Sequence, residues 1–242
     1  MSLSKNQLKL ITSLQQKKYR VKNGLFIAEG TKVVNEFLNS KFKLHQLFCV
    51  DNTAYNSLEN VTVISEVDLK KISTLKTPNN VLALFEIPAE ETIKKEGLFI
   101  ALDEINDPGN LGTIIRLCDW FGIDQLICST NTVDCYNSKV VMASMGSLTR
   151  VSILYTNLSD YLKESVLPKY ATLMDGENVY KSKLPKQAIL VMGNEANGIS
   201  DAVLKELDTA VSIPRFGSVQ ATESLNVATA TAILLSEFKR LV

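Results

Sequence analysis

Between residues 97 and 214 five apolar runs of strand length, GLFIALDEI, DQLICS, RVSILY, AILVM and AVSIP, are separated by stretches of helical periodicity. Strands that are apolar on both faces and joined through helices pair mostly in parallel, in a sheet covered on both sides. The expectation is therefore an α/β fold with a parallel sheet. A last helix closes it: Val227, Ala230, Thr231, Leu234, Leu235, Phe238 and Leu241 step by three and four, while Glu237, Lys239 and Arg240 fall off that stripe.

The first ninety residues repeat the strand and helix rhythm on a smaller scale. Residues 1–20 read as one basic helix, with Leu3, Leu10 and Leu14 near one face. LFIAEG then reads as a strand, Thr31 as the cap of a helix through Leu38, and KLHQLFCV (43–50) as a returning strand. VTVISEVDLKKISTL (61–75) and VLALFEI (81–87) complete a small α/β unit. IPAEETIKKEG (87–97) loses periodicity and gains Pro and charge, so it reads as a linker. These features place two domains at 1–94 and 95–242.

No run reaches the roughly 18 apolar residues that a membrane span needs. The polar, Lys-rich start carries no apolar signal-peptide core, and the four cysteines show no CxxC spacing, so a cytoplasmic location is expected. The single histidine, His45, leaves too few partners for a His/Cys metal site and reads as half-buried and structural; no metal is expected. Net charge is zero, but residues 1–43 hold nine Lys/Arg against two Glu. Such a basic arm can neutralise phosphates, although a solvated helix face explains the same composition.

Three segments that follow strand-like runs gather the Gly, Asn and isolated charge: DPGNLGTIIRLCDWFG (107–122), LVMGNEANGIS (190–200) and SIPRFGSVQATESLNVATATAILL (212–235). Open α/β sheets bind ligands there, outside the carboxyl ends of their strands. In the first, Asn110 stands as an N-cap after the Pro108-Gly109 turn, with Leu111, Ile114, Ile115 and Cys118 as the buried stripe. Arg116, a permanent cation inside that helix, calls for an anion, a polar pocket or a salt bridge to Asp119 or Glu104. In the second, Gly193 and Gly198 are spaced as in a phosphate loop, but Ile199 replaces its lysine. No GxGxxG opens a helix either, which removes the dinucleotide fingerprint along with the NTPase reading. What remains is a strand ending at Met192, a loop holding Glu195 and a helix start at Ser200. In the third, a glycine-containing loop leads to Glu223, Ser224, Leu225 and Asn226 at the last helix, where Ser and Asn also suit capping. A shared pocket explains all three segments together.

The three patterns N-x-G-x-x-x-R (Asn110, Gly112, Arg116), G-x-E-x-x-G (Gly193, Glu195, Gly198) and I-P-x-x-G…S-L-N-V (Ile213, Pro214, Gly217, then Ser224 to Val227) occur in order. With them the chain resembles the SpoU (TrmH-type) branch of the SPOUT RNA methyltransferases. QKKYRVKNGLFIAEGTKVVNEFL in turn resembles that family's ribosomal-protein-like substrate-binding domain. The resemblance implies S-adenosylmethionine as cofactor, a ribose 2′-hydroxyl of ribosomal or transfer RNA as acceptor, a homodimer, and a deep trefoil knot in the carboxy-terminal domain. It also implies catalytic roles for Arg116, Asn110, Glu195, Ser224 and Asn226, and cofactor contacts from Gly193, Ile213, Leu225, Met192 and Gly198. Arg116 fits better as an orienting cation than as a base, since a guanidinium essentially never deprotonates. Two departures stand out: Arg215 follows Ile-Pro where the family has methionine, and SVQATE lengthens the span from Gly217 to Ser224. An RNA-binding assembly protein with a vestigial cofactor pocket is the alternative expectation.

Overall fold

A computed structural model describes residues 3–89, 91–219 and 224–240. The chain divides into two compact units, Met1–Ala89 with Asp134–Thr149, and Glu90–Val133 with Arg150–Val242.

The first unit runs α1 (Lys5–Ser13), α2 (Lys17–Asn23), β1 (Leu25–Glu29), α3 (Thr31–Leu38), β2 (Leu44–Cys49), β3 (Val61–Val63), α4 (Glu66–Ile72) and β4 (Val81–Glu86). Its sheet has the order β1-β4-β2-β3, antiparallel except for the β2–β3 pair. Alternation splits β1 between two cores. Leu25 and Ile27 join Leu82, Leu84, Phe48, Ile11, Leu69 and Ile72 on one face. Phe26 meets Phe37, Phe42 and Phe85 on the other, with ring centroids 5.3, 5.7 and 6.0 Å away.

The structure corrects several expectations here. The basic amino-terminal segment is two helices, not one, because Gln16 is extended (φ −99°, ψ 132°). Arg20 stabilises the break: its Nη1 donates to the Leu14 and Gln15 carbonyls at 2.9 and 3.0 Å. Its Nε and Nη2 donate to Asp134 Oδ2 at 2.9 and 2.5 Å, and only 3% of the residue is exposed. Thr31 does not cap α3; Gly30 does, at φ 82°, a conformation that glycine adopts without strain. His45 is exposed rather than half-buried, because the β2–β4 register shifts between Leu44 and Gln46 and a bulge turns it outward.

The second unit runs β5 (Leu98–Leu102), α5 (Pro108–Trp120), β6 (Gln125–Ser129), then β7 (Ser152–Thr156), α7 (Leu158–Glu164), β8 (Lys169–Asn178), β9 (Ala188–Met192), α8 (Asp201–Leu204), β10 (Thr209–Ser212) and α9 (Val227–Lys239). Between β6 and β7 the chain forms α6 (Ser138–Ser144), which packs on β1 in the first unit. Residues 134–149 fall inside the domain expected at 95–242, yet they belong to the first unit. The Arg20–Asp134 ion pair and the stack of Tyr136 on Phe26, 4.8 Å between centroids, tie them to it.

Six strands form the expected sheet, in the order β10-β8-β9-β5-β6-β7, and every pairing is parallel. Central strands β5, β6 and β9 are buried along their whole length, the reason they read as unbroken apolar runs. Phe99, Ala101, Ile189 and Val191 face a core closed by Leu158 and Leu162 of α7 and Val203 of α8. On the other side α5 packs against β6 and α9, and Phe238 of α9 lies edge-on to Tyr170 of β8 at 5.4 Å. Strand β8 is missing from the sequence reading. Its register with β10 jumps from Ala171 to Glu177, so residues 172–176 leave the ladder and break the alternation that marks a strand. At that jump Gly176 lies so close to β10 that a Cβ would sit 2.6 Å from the Val211 carbonyl carbon.

Candidate active site at the carboxyl ends of the parallel strands

Strands β5, β9 and β10 each end in one of the three segments rich in glycine and amide residues, and β5 and β9 are direct neighbours with Leu102 opposite Met192. The loops therefore emerge side by side. Their base is fixed by backbone and buried carboxylate: the Asp103 N–H donates to the Met192 carbonyl at 2.9 Å. Asp103, 3% exposed, accepts from the Ser200 N–H at 2.8 Å. Asn194 completes the turn, donating to the Glu104 carbonyl at 2.7 Å and accepting from the Ala196 and Asn197 N–H groups. Asp103 and Asn194 escaped the sequence reading, though an Asn directly after a strand-end glycine is a turn signal in its own right.

The helix after β5 starts earlier than its sequence suggests. Asp107, not Asn110, is the N-cap of α5; its side chain accepts from the Asn110 N–H at 2.8 Å. Pro108 supplies the preset φ of the first helical position. That leaves the Asn110 side chain free for other work. At α9 the expected cap holds: Asn226 Oδ1 accepts from the Ala228 and Thr229 N–H groups at 3.0 and 3.3 Å. Glu223 and Leu241, which the sequence reading also assigned to this helix, lie outside the described residues.

Together the two caps fix a polarised relay. Backbone N–H groups only donate, so Asn226 must turn Oδ1 to the helix and Nδ2 outward. Nδ2 donates to Asn110 Oδ1 at 2.9 Å, and Asn110 Nδ2 donates in turn to Glu195 Oε1. One chain of amides thus joins all three motif segments and ends on a carboxylate.

Beside the relay opens a cavity of about 770 Å3. Its walls are Thr172, Leu173 and Met174 of β8, Met192 at the end of β9 with Gly193, Glu195 and Gly198 after it, Ile213 through Val219 after β10, and Ser224, Leu225, Val227, Ala230 and Leu234 around the start of α9. All five residues expected to touch a cofactor line it, together with Glu195 and Ser224. Asn110 and Asn226 are not on its wall and reach it through Glu195. Arg116 is not on the wall either: it is exposed on α5 and has no hydrogen bond or ion pair among the described residues. The salt bridges considered from sequence do not form, since Asp119 pairs with Arg150 at 2.9 Å and Glu104 accepts from Asn131 at 2.7 Å.

The cavity suits a ligand with extensive apolar surface and a few polar groups. Its walls are mainly aliphatic, and Glu195 and Arg215 are the charged side chains among the described lining residues. Backbone approaches closely enough at Gly193 that a Cβ would lie 2.4 Å from the Gly198 carbonyl carbon and the Ile199 nitrogen. The segment departing from the family pattern is part of the wall: Arg215 lines it and donates to Met174 Sδ at 3.4 Å. Among the described residues no group of three or more His, Cys, Asp or Glu is placed to hold a metal ion. No helix there is long and apolar enough to cross a membrane.

A parallel sheet with three amide-rich loops around a cavity at its strand ends, preceded by a small mixed unit, defines a SPOUT-type α/β protein. The chain belongs to the SpoU rRNA Methylase family, whose profile matches residues 97–236. Residues 5–83 match the MRM3-like substrate binding domain. The chain is 32% identical over 241 residues to the 23S rRNA (guanosine(2553)-2'-O)-methyltransferase RlmP of Bacillus subtilis, with 96% of each covered. Among solved structures, a TrmH-family protein from Porphyromonas gingivalis is 39% identical and superposes over the full length of both chains with a TM-score of 0.91. The AdoMet-bound rRNA methyltransferase from Sinorhizobium meliloti is 31% identical with a TM-score of 0.88, covering 100% of this chain and 97% of that one.

Proposed function

We propose that this protein transfers a methyl group from S-adenosylmethionine to a ribose 2′-hydroxyl of ribosomal or transfer RNA. The observation that carries the reading is the Asn226–Asn110–Glu195 relay at the edge of the cavity, because it brings three distant motif segments to one carboxylate. Kinship with an rRNA 2′-O-methyltransferase and with an AdoMet-bound structure supports both the acceptor and the cofactor.

Bound S-adenosylmethionine supplies a methyl already activated by its sulfonium. Met192, Gly193, Gly198, Ile213 and Leu225 would hold it, and the Glu195 carboxylate lies on the same wall. The protein's remaining task is alignment and removal of one proton. In this reading Ser224 and the relay orient the ribose, and Glu195 Oε2, left over from the Asn110 bond, accepts the hydroxyl proton. Arg116 engages an RNA phosphate beside the target ribose and disperses charge.

The same reading includes a homodimer. Thr113, Arg116 and Trp120 form an exposed ridge on α5 at helical spacing, and Trp120 is 84% exposed; a second copy covering this ridge would bury the indole. It also includes a trefoil knot threaded by the loops around the cavity, and a cytoplasmic location, in keeping with four buried cysteines that form no disulfide. The test is methyl transfer from labelled S-adenosylmethionine to ribosomal and transfer RNA by the purified protein, with nucleoside mass spectrometry of the product. Label should appear in 2′-O-methylnucleosides. A protein that binds RNA but shows no calorimetric binding of S-adenosylmethionine would instead support the assembly-protein reading.

A further inference from the structure

Phe216 on the cavity wall and Tyr180 beside it are two exposed aromatic rings that the relay does not explain. Phe216, in the loop after β10, lines the mouth yet is 84% exposed, and Tyr180, in the turn after β8, is 41% exposed. Their centroids are 6.5 Å apart with planes inclined by 30°, near the outer limit of roughly 7 Å for direct ring pairing. They gain little from each other, and most of the Phe216 surface faces solvent.

Tyr180 is held where it is. Asn178 Oδ1 accepts from the Tyr180 N–H at 3.0 Å, and the Asn178 carbonyl accepts from the Lys181 N–H at 2.9 Å and from Ser182 Oγ at 3.0 Å. Val179 beside it is buried and donates its N–H to the Ser212 carbonyl at 3.0 Å. A tight turn anchored on both strands therefore presents an aromatic side chain to solvent. The acidic residues Asp175 and Glu177 precede that turn on β8; Lys181, Lys183 and Lys186 follow it, all exposed and none in an ion pair among the described residues.

Unpartnered rings beside unpaired lysines match the chemistry of single-stranded RNA, whose bases stack on aromatic faces while basic side chains meet the phosphates. Resting on the methyl-transfer reading above, we propose that Tyr180 and Phe216 form a stacking platform for a nucleobase at the target nucleotide, with Lys181, Lys183 and Lys186 holding the adjoining phosphates. A ribose presented at the cavity mouth carries its base outward, and the platform lies at that rim.

The experiment measures binding of a fluorescein-labelled oligouridylate by anisotropy, alongside calorimetric titration of S-adenosylmethionine, for the full-length protein and its Tyr180→Ala, Phe216→Ala and Phe216→Tyr variants. Each alanine variant should lose about tenfold in RNA affinity and Phe216→Tyr should restore it, while in Tyr180→Ala, a residue off the cavity wall, cofactor affinity stays unchanged. Lys183→Ala should lower the slope of log affinity against log salt by about 0.7. An oligonucleotide carrying 4-thiouridine should crosslink within residues 178–183 or 214–219. Unchanged RNA affinity in both alanine variants, or crosslinks confined elsewhere, would overturn the platform. So would loss of cofactor affinity with RNA binding intact, which would make Phe216 a cover for the cofactor. Dissociation of a dimer in Phe216→Ala, seen by sedimentation, would give the patch to a second copy instead. Absence of cofactor binding by the unmodified protein counts against the methyl-transfer reading and leaves the stacking measurement standing on its own.

Discussion

Arg20 in the first unit and Arg116 in the second are both helix residues, and the fold uses them in opposite ways. Arg20 is 3% exposed and spends its guanidinium on two carbonyls and on Asp134, whose own side chain is 12% exposed. Arg116 is exposed and bonded to nothing among the described residues. The same contrast runs through the carboxylates. Glu29, 2% exposed, accepts from Ser73 Oγ at 2.5 Å and from the Thr74 N–H at 2.9 Å, whereas exposed Glu195 takes one amide and keeps an oxygen in hand. A charge saturated by its own chain holds the fold together. One left unsaturated at a strand end remains available to a ligand.

The largest expected effect tests the saturated side of that contrast. Arg20→Met leaves the largely enclosed Asp134 without its partner, and breaking such a pair costs up to about 3–5 kcal/mol. Urea denaturation should show that loss, and thiol labelling should localise it: Cys49 and Cys135 of the first unit become reactive before Cys118 and Cys128 of the second. Cys118 should label last, because burial and the nearby Asp119 charge push its thiol pKa up and suppress the reactive thiolate. Equal labelling of all four would break the contrast. On the unsaturated side, Arg116→Ala should lower methyl transfer by about 100-fold or more, with melting temperature and cofactor binding unchanged. Undiminished turnover there would remove Arg116 from the chemistry.

Smaller changes sharpen the picture. Gly193→Ala forces a Cβ into the Gly198–Ile199 backbone and should cost about 1–3 kcal/mol in displaced loop structure, read as weaker calorimetric binding of S-adenosylmethionine. Asn226→Ala should lose about 1 kcal/mol of stability with the α9 cap. Asn226→Asp should keep the cap, and with it the melting temperature, yet lower turnover as Ala does. If Asp and wild type turn over equally, the relay has no catalytic part.

Legibility in the sequence followed burial. β5, β6 and β9 are covered on both faces and therefore announce themselves as apolar runs; β8 bends out of register to wall the cavity, so its residues answer to the cavity rather than to the pleat. The spacing of the three motifs was enough to name their residues, but not to order them. Asp107 and Asn110 are both cap-forming types flanking Pro108-Gly109, and only the position of Pro108 as first helical residue decides between them. Arg20 and Asp134 are 114 positions apart, beyond any local pattern. The bulge that exposes His45 has no composition cue, and Phe216 sits in a loop, where no periodicity marks a side chain.

Asn226 serves two masters with the two ends of one amide, bracing a helix with its oxygen and steering the relay with its nitrogen. Hydrolysis of that single group to a carboxylate, as chemical ageing does to asparagines, would replace the outward donor with a second acceptor facing the Asn110 oxygen. Such a molecule would keep the helix cap and its melting behaviour while losing the hydrogen bond to Asn110.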